Sequence, residues 1–289
     1  MWDTATGLDA PLRRSERLQE RAEGVELEQW WVAWCNQNNW IYIQHCKDCG
    51  VSMPATSAQH CPPKLCAMCV NFTPANPTAL QMTGRAPANE YAPETFPGYV
   101  APIIRAGSEH DGQGDVRVDL AAFGLIPSWS KDRLIGRRTY NARSETVAEK
   151  PAYRTAWRRQ QFCLVPMERF CEPCWETGRS VRWSIHRQDK QPFTVAAIWD
   201  SWTDRATGEI VESFSMLTIN ADGHPVMGRF HRPGDEKRSL VVVPPAAWND
   251  WLRATTVHAV EMLVDTPCAE FEAAPSGGDT TLPHQASLI

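Results

Sequence analysis

The chain has 289 residues, 43% of them hydrophobic, with 10 cysteines and a formal net charge of −5 at pH 7. A chain of this length can bury a full core, so we expect one domain of roughly 200 residues with appendages. The acidic balance excludes a protein that attracts nucleic acid over its whole surface, so any DNA binding requires a local basic patch.

Neither a run of about 18 uncharged apolar residues nor a signal-peptide pattern occurs in the sequence. These features predict a cytoplasmic protein that has no membrane partner. The cytosol keeps thiols reduced, so the cysteines indicate free thiols, metal binding or catalysis before disulfides.

The N-terminal segment, residues 1–67, differs in character from the rest of the chain. Apolar residues at helical spacing predict an amphipathic helix over about residues 13–34. Two interpretations of the whole segment compete. It is an over-extended start or a removable leader, or it carries a zinc ribbon in which two Cys-x2-Cys pairs bind the metal. The pairs are Cys46 with Cys49 and Cys66 with Cys69, and Cys61 could replace Cys69 at worse spacing.

Met68 and Cys69 resemble the start of a protein, although they lie inside this chain. If translation began at Met68, or the chain were cut there, Cys69 would carry a free α-amine beside its thiol. The amine has a pKa of about 7.7–8.0 and the thiol about 8.5, so both are partly nucleophilic near neutral pH. An aldehyde could condense with the amine and then be trapped by sulfur as a thiazolidine. A zinc-bound internal Cys69 has no such amine, so the two interpretations exclude each other.

From Met68 onward the pattern is that of an α+β domain over residues 68–264, with a strongly curved, mainly antiparallel, barrel-like sheet and interspersed helices. A small and polar composition predicts a disordered tail over residues 265–289. Short helices are predicted at Thr78–Met82, Tyr153–Gln160 and Ala246–Arg253. Strands are predicted at Tyr99–Ile104, Val116–Leu120, Phe162–Val165, Val181–His186, Phe193–Trp199, Phe214–Ile219, Leu240–Val243 and His258–Val264.

The run from Tyr140 to Pro151 reads YNARSETVAEKP and is followed by Arg154, Arg158 and Arg159. It is similar to the central motif of the SRAP (SOS response-associated peptidase) family, whose members crosslink to abasic sites in single-stranded DNA. The similarity spans about residues 68–260. Further blocks that resemble the family occur in order at Met68-Cys69, Gly124–Trp129, Cys163–Pro166, Phe170–Glu172, Ile198–Trp202, Thr218–Ala221 and His231.

The resemblance implies that Cys69 is the nucleophile, Asn141 the active-site amide, Glu172 the catalytic carboxylate and His231 the catalytic imidazole. An abasic sugar is mostly closed, so a general acid/base is needed to open it and later to remove water; Glu172 and His231 suit both transfers. Arg238 is aligned with a family arginine across a segment longer than the usual His-x-Arg. DNA contacts are expected from Arg143, Trp129, Arg154, Arg158 and Arg238.

Each of these residues also has a structural interpretation. Asn141 could cap a helix that begins near Ser144, Glu172 could be an ion-pair partner, and His224 and His231 could be surface histidines. Cys163, Cys171 and Cys174 are predicted to be buried small hydrophobic residues.

The leading hypothesis is a DNA-repair protein that binds single-stranded DNA and forms a thiazolidine with an abasic site, with a possible lyase step through the imine. It is expected to be monomeric and nucleoid-associated, to use single-stranded DNA containing abasic sites as its partner, and to need no cofactor and no metal. One alternative is a cysteine autopeptidase in which Cys69, Glu172 and His231 release the leader. Another is a zinc-ribbon nucleic-acid module fused to an inactive domain.

Overall fold

The computed structural model describes residues 30–36, 39–45, 52–54, 71–80, 90–107, 116–264 and 270–276. The chain divides into two units, Met1–Leu65 and Cys66–Ile289. In the first unit, β1 (Trp30–Asn36), β2 (Asn39–His45) and β3 (Ser52–Pro54) form an antiparallel sheet in the order β1-β2-β3.

The helix predicted over residues 13–34 is therefore wrong from Trp30 onward, where β1 begins. The run WWVAW consists mainly of aromatic and β-branched residues, whose strand preference outweighs the helical spacing. The remainder of that helix lies outside the described residues. So do all the proposed zinc ligands, Cys46, Cys49, Cys61, Cys66 and Cys69.

The second unit contains most of the described secondary structure. Its helices are α1 (Pro77–Leu80), α2 (Arg154–Arg158), α3 (Trp248–Leu252) and α4 (Thr256–Glu261), with short 3-10 helices at Arg133–Arg138, Met227–Arg229 and Pro245–Ala247. Its strands are β4 (Asn71–Pro74), β5 (Val100–Ala106), β6 (Val116–Phe123), β7 (Asn141–Arg143), β8 (Phe162–Cys174), β9 (Val181–Arg187), β10 (Phe193–Thr203), β11 (Ile210–Asn220), β12 (Arg238–Leu240) and β13 (Phe271–Pro275).

Within the described ranges these strands form one ten-stranded sheet along the path β10-β11-β6-β5-β8-β9-β13. β8 also pairs with β10, so the path β10-β11-β6-β5-β8 closes on itself like a ring. Most pairings are antiparallel, and β11 pairs in parallel with β6 and β7. The predicted α+β class with a mainly antiparallel, strongly curved sheet is confirmed.

Aromatic side chains fill one hydrophobic core of this sheet. Phe123 stands edge-on to Phe72 at 5.3 Å between ring centroids and stacks on Phe214 at 5.3 Å. A second core lies under α2 and α3, where Trp251 packs on Phe162 and donates its indole N–H to the Cys163 carbonyl at 2.9 Å. Burial of each such ring stabilises the fold by roughly 1.5–3 kcal/mol. The packed rings fix the strands relative to one another.

The helix predictions near α2 and α3 are confirmed, but the strand predicted at His258–Val264 is wrong. This stretch contains most of α4, whose N-cap Thr255 accepts a hydrogen bond from the His258 N–H at 3.2 Å. This cap satisfies a backbone N–H at the start of the helix, whereas in a strand that N–H would have to bond to a neighbouring strand. Val257 and Val260 remain exposed, so the apolar run does not mark a buried strand.

Two other segments differ from the sequence-based expectation. β8 continues to Cys174, well beyond the predicted end at Val165, although Pro166 and Pro173 lie within it. Phe271–Pro275 form β13 on the edge of β9, inside the expected disordered tail. Phe271 is buried and packs edge-on against Phe193 at 5.0 Å, and the open backbone groups of β9 accept the added strand.

Candidate active site

Glu172 and His231, two of the predicted catalytic residues, meet at the end of β8. Both are buried, with 3% and 1% of their surface exposed. His231 Nδ1 lies 3.7 Å from Glu172 Oε2. The backbone fixes this approach, because the His231 N–H donates to the Pro173 carbonyl at 2.9 Å and Cys174 forms a bridge with Phe230. The interpretation of His231 and His224 as surface histidines is wrong, since both are buried.

The tautomer of His231 follows from its neighbours. Nε2 lies 3.1 Å from the Arg238 carbonyl oxygen, which can only accept, so Nε2 carries the hydrogen. Within the described part of the chain Nδ1 makes no hydrogen bond, and it lies 3.7 Å from Glu172 Oε2. Burial lowers the pKa of His231 and outweighs the hydrogen bond to Arg238, which raises it. A neutral imidazole beside a carboxyl group can exchange a proton with it, or with a reactant that contacts either group.

Asn141 opens β7, which pairs in parallel with β11 so that Asn141 is opposite Met216. Its side chain is buried, and its backbone carbonyl accepts the Tyr153 hydroxyl at 3.0 Å. The interpretation of Asn141 as a helix cap is wrong, because turns follow β7 and the next helix begins at Arg154. β11 also pairs with β12, whose Arg238 carbonyl holds His231. β11 therefore lies between the strand that carries Asn141 and the strand whose Arg238 carbonyl binds His231.

Arg238, predicted to contact DNA, is instead 2% exposed. Its guanidinium donates to both oxygens of Glu145 at 2.8 Å, to Glu236 at 2.7 Å and to the Thr218 carbonyl at 2.6 Å. Burial by itself lowers the pKa of Arg238. The hydrogen bonds to Glu145 and Glu236 favour the charged guanidinium, and the pKa is raised above its ordinary value. The arginine joins β12 to β11 and to the turn after β7, so the structure does not place it on the surface.

The other predicted DNA contacts are accessible. The Arg143 side chain is 49% exposed and forms an ion pair with Glu236 at 2.7 Å. Trp129 is 52% exposed and donates its indole N–H to the Pro151 carbonyl at 3.2 Å. Arg154 and Arg158 are exposed on α2, where the Arg158 Nε donates to the Arg154 carbonyl. Of these four accessible residues, Arg154 and Arg158 contact each other on α2.

Sequence reasoning missed Glu145, Glu236 and Thr218, which surround Arg238. Glu145 falls within the NARSE run, so a signal for it was present, whereas Glu236 lies in a polar stretch that shows no pattern. The prediction that Cys163, Cys171 and Cys174 are buried is confirmed, and all three are free thiols.

Cys69 lies outside the described residues. Asn71, two positions later, opens β4 opposite Cys171, the residue before Glu172. The Asn71 side chain donates to Glu94, which also binds Arg182. The described ranges contain no group of three or more His, Cys, Asp or Glu side chains placed to hold a metal. They also contain no helix long and apolar enough to cross a membrane.

Comparisons with known proteins agree on one family. The family model described as "SOS response associated peptidase (SRAP)" matches residues 66–276. The abasic site processing protein YoaM of Bacillus subtilis is 32% identical over 126 residues, covering 40% of this chain and 50% of YoaM. YobE, an abasic site processing protein of the same organism, is 30% identical over 136 residues, covering 44% and 58%.

The chain thus spans about half the length of the curated relatives it matches. A crystal structure of a protein from Bordetella bronchiseptica superimposes with a TM-score of 0.66 at 29% identity, covering 72% of this chain and 99% of that one. A structure from Bacteroides thetaiotaomicron, at 20% identity and a TM-score of 0.59, shares the fold.

Proposed function

The chain belongs to the SRAP family, and from this premise we propose that it binds single-stranded DNA and links covalently to abasic sites through Cys69. The observation that carries the proposal is the buried Glu172–His231 pair, with 3.7 Å between Nδ1 and Oε2. Relatives that carry the name abasic site processing protein support the substrate class.

The proposed reaction begins with a free α-amine on Cys69. The sugar ring opens to its aldehyde, the amine adds to the carbonyl carbon, and the resulting carbinolamine loses water to give an imine. The thiol then adds to the imine carbon, its proton passes to nitrogen, and a thiazolidine results. One water is released overall and no oxidant is required. Ring opening and dehydration both need a proton donor and acceptor, which Glu172 and the neutral His231 supply.

Connectivity is consistent with this role for Cys69. Asn71 is paired with Cys171, adjacent to Glu172. Cys69 precedes Asn71 by two residues in the sequence. A lyase step through the imine, and release of the preceding segment by the same residues to expose the amine, are further parts of the proposal.

The test is a time course with an oligonucleotide that contains one abasic site, resolved on a denaturing gel. In the chain begun at Met68, Cys69→Ser retains an amine that forms an imine, but its hydroxyl is a poor trap, so the stable adduct should disappear. Glu172→Gln keeps the shape of the side chain and removes the carboxylate. It should slow adduct formation by roughly 10²–10⁴-fold, the usual effect of losing a general acid/base.

Glu176→Gln is the matched control, because Glu176 follows β8 closely but forms an exposed ion pair with Arg229 at 2.8 Å. This variant should react at the rate of the unchanged protein. A stable adduct from Cys69→Ser would exclude thiazolidine chemistry. A full rate from Glu172→Gln would remove Glu172 from the mechanism.

A further inference from the structure

The carboxylate of Glu236 lies among cationic and amide donors from three strands. Its Oε2 accepts from Arg143 at 2.7 Å, and its Oε1 accepts from Arg238 at 2.7 Å and from the Asn220 amide at 3.1 Å. The hydrogen bond from Asn220 contributes most to lowering the pKa of Glu236, so the group is ionised at neutral pH. Two guanidiniums and an amide that converge on one anion form an anion-binding cradle, here filled by the chain's own carboxylate.

On one side of this cradle Arg238 is buried and held in place, and on the other side Arg143 is accessible to solvent. Arg238 is buried and also bound to Glu145 and Thr218, so it stays in place without Glu236. Arg143 is half exposed, and the Glu236 side chain is 34% exposed. An external anion can therefore reach Arg143, and the carboxylate can rotate into solvent.

The segment that carries Glu236 is itself fixed at the backbone. The Lys237 N–H donates to Asp222 at 2.8 Å, and the Ala221 N–H donates to the Lys237 carbonyl at 2.8 Å. The Lys237 ammonium binds the carbonyls of His231 and Arg232. The backbone thus returns the carboxylate to Arg143 whenever no competing anion is present, while the side chain remains free to leave.

We propose that Glu236 occupies the position of a backbone phosphate in the free protein, and that a bound single strand must displace it from Arg143. This inference rests on the proposed function and concerns the affinity of the same site. An exposed arginine–carboxylate pair contributes little in water, so displacement is feasible. A phosphate beside an undisplaced Glu236 would meet like-charge repulsion. Glu236 therefore weakens single-strand binding and reduces its dependence on salt.

The experiment uses Glu236→Gln, which keeps the size of the side chain and removes its charge. Binding of a fluorescein-labelled oligothymidine without an abasic site is followed by anisotropy over a salt series. The variant should bind roughly 3–10-fold more tightly, and the slope of log affinity against log salt should steepen by about 0.7, the value for one additional phosphate contact. In the double variant Arg143→Ala/Glu236→Gln the gain in affinity should vanish, because the guanidinium that would bind the phosphate has been removed.

Glu176→Gln again serves as the control, since it removes one exposed carboxylate from an arginine elsewhere. Unchanged affinity and slope in Glu236→Gln, with an unchanged melting temperature, would overturn the proposal. So would an equal gain in Glu176→Gln, which would show a general charge effect. Calorimetric titration with inorganic pyrophosphate distinguishes the two proposals. Tighter pyrophosphate binding by Glu236→Gln without any adduct at abasic sites would retain Glu236 as a competitor for external anions at Arg143 and reject covalent linkage to abasic sites.

Discussion

At the scale of single residues, His231 combines backbone strain with a fixed tautomer. Its φ of 65° lies in the left-handed region, which a non-glycine residue adopts at a cost of about 1–3 kcal/mol. Buried Phe230 and the hydrogen bond to Pro173 hold it there. In this conformation Nδ1 lies 3.7 Å from Glu172 Oε2.

The lowered pKa of His231 predicts how stability depends on pH. As pH falls, His231 takes up a proton near pH 6.5 in the unfolded chain, before it does so in the folded chain. The stability contributed by His231 is therefore fully present above that pH and is lost as pH falls toward the lower pKa of the folded state. Between about pH 7.5 and pH 5.5 the unchanged protein should lose free energy of unfolding more steeply than His231→Gln, by up to about 1.4 kcal/mol per pH unit.

Urea unfolding at a series of pH values measures this difference. His258→Gln is the control, because the His258 side chain is exposed on α4. Equal slopes for the unchanged protein and His231→Gln would mean that His231 titrates normally.

At the scale of elements, one buried arginine links β12 to β11 and to the turn after β7. β7, β11 and β12 lie side by side, and Arg238 joins them through Glu145 and the Thr218 carbonyl while its own carbonyl orients His231. A lysine at this position retains the charge but cannot reproduce the planar fork. We therefore regard Arg238 as a positioning residue for His231.

Arg238→Lys should lower the free energy of unfolding by roughly 1.5–3 kcal/mol, the usual contribution of charged hydrogen bonds. It should also shift the acidic limb of the pH–rate profile for adduct formation, because the acceptor for His231 Nε2 moves. Arg117→Lys is the control, since Arg117 is half-buried on β6 and pairs with Asp119 at 2.8 Å. Loss of stability with an unshifted pH–rate profile would assign Arg238 a purely structural role.

At the scale of the whole molecule, the proposed binding to a polyanion must be reconciled with a net charge of −5. The exposed arginines of α2 and half-exposed Arg143 supply local positive charge. Exposed Trp129 provides a face on which a base could stack. Salt screens charges over about 8 Å at physiological ionic strength, so acidic residues farther away have little effect on a bound strand. Cations that contact its phosphates still release counterions from it.

Reversing both Arg154 and Arg158 to Glu should weaken binding of labelled oligothymidine by tenfold or more at about 0.1 M salt. If each contacts a phosphate, the salt slope should fall by about 1.4. Arg205→Glu, at an exposed position in the turn between β10 and β11, reverses charge elsewhere and should have a small effect. A normal slope in the double reversal, measured by anisotropy over a salt series, would place the DNA elsewhere.

Local features of the sequence were enough for the fold class and most elements of the second unit. The residue patterns of Val181–His186 and Phe193–Trp199 predicted β9 and β10, because a strand with one or two buried faces leaves a pattern in adjacent residues. The ordered motifs gave Glu172, His231 and Asn141 as candidates. Patterning failed at α4, where a cap at Thr255 prevailed, and at β13, which forms because β9 has an open edge.

Only the tertiary structure decided how distant residues meet. The sequence contains Glu172 and His231, but their 3.7 Å approach depends on the bridge between Cys174 and Phe230. Arg238 and Arg143 look alike as arginines in polar surroundings, yet one is buried and the other exposed. The difference arises because Glu145 and the Thr218 carbonyl converge on Arg238 through strand register, and register is a relation between segments that no single segment encodes.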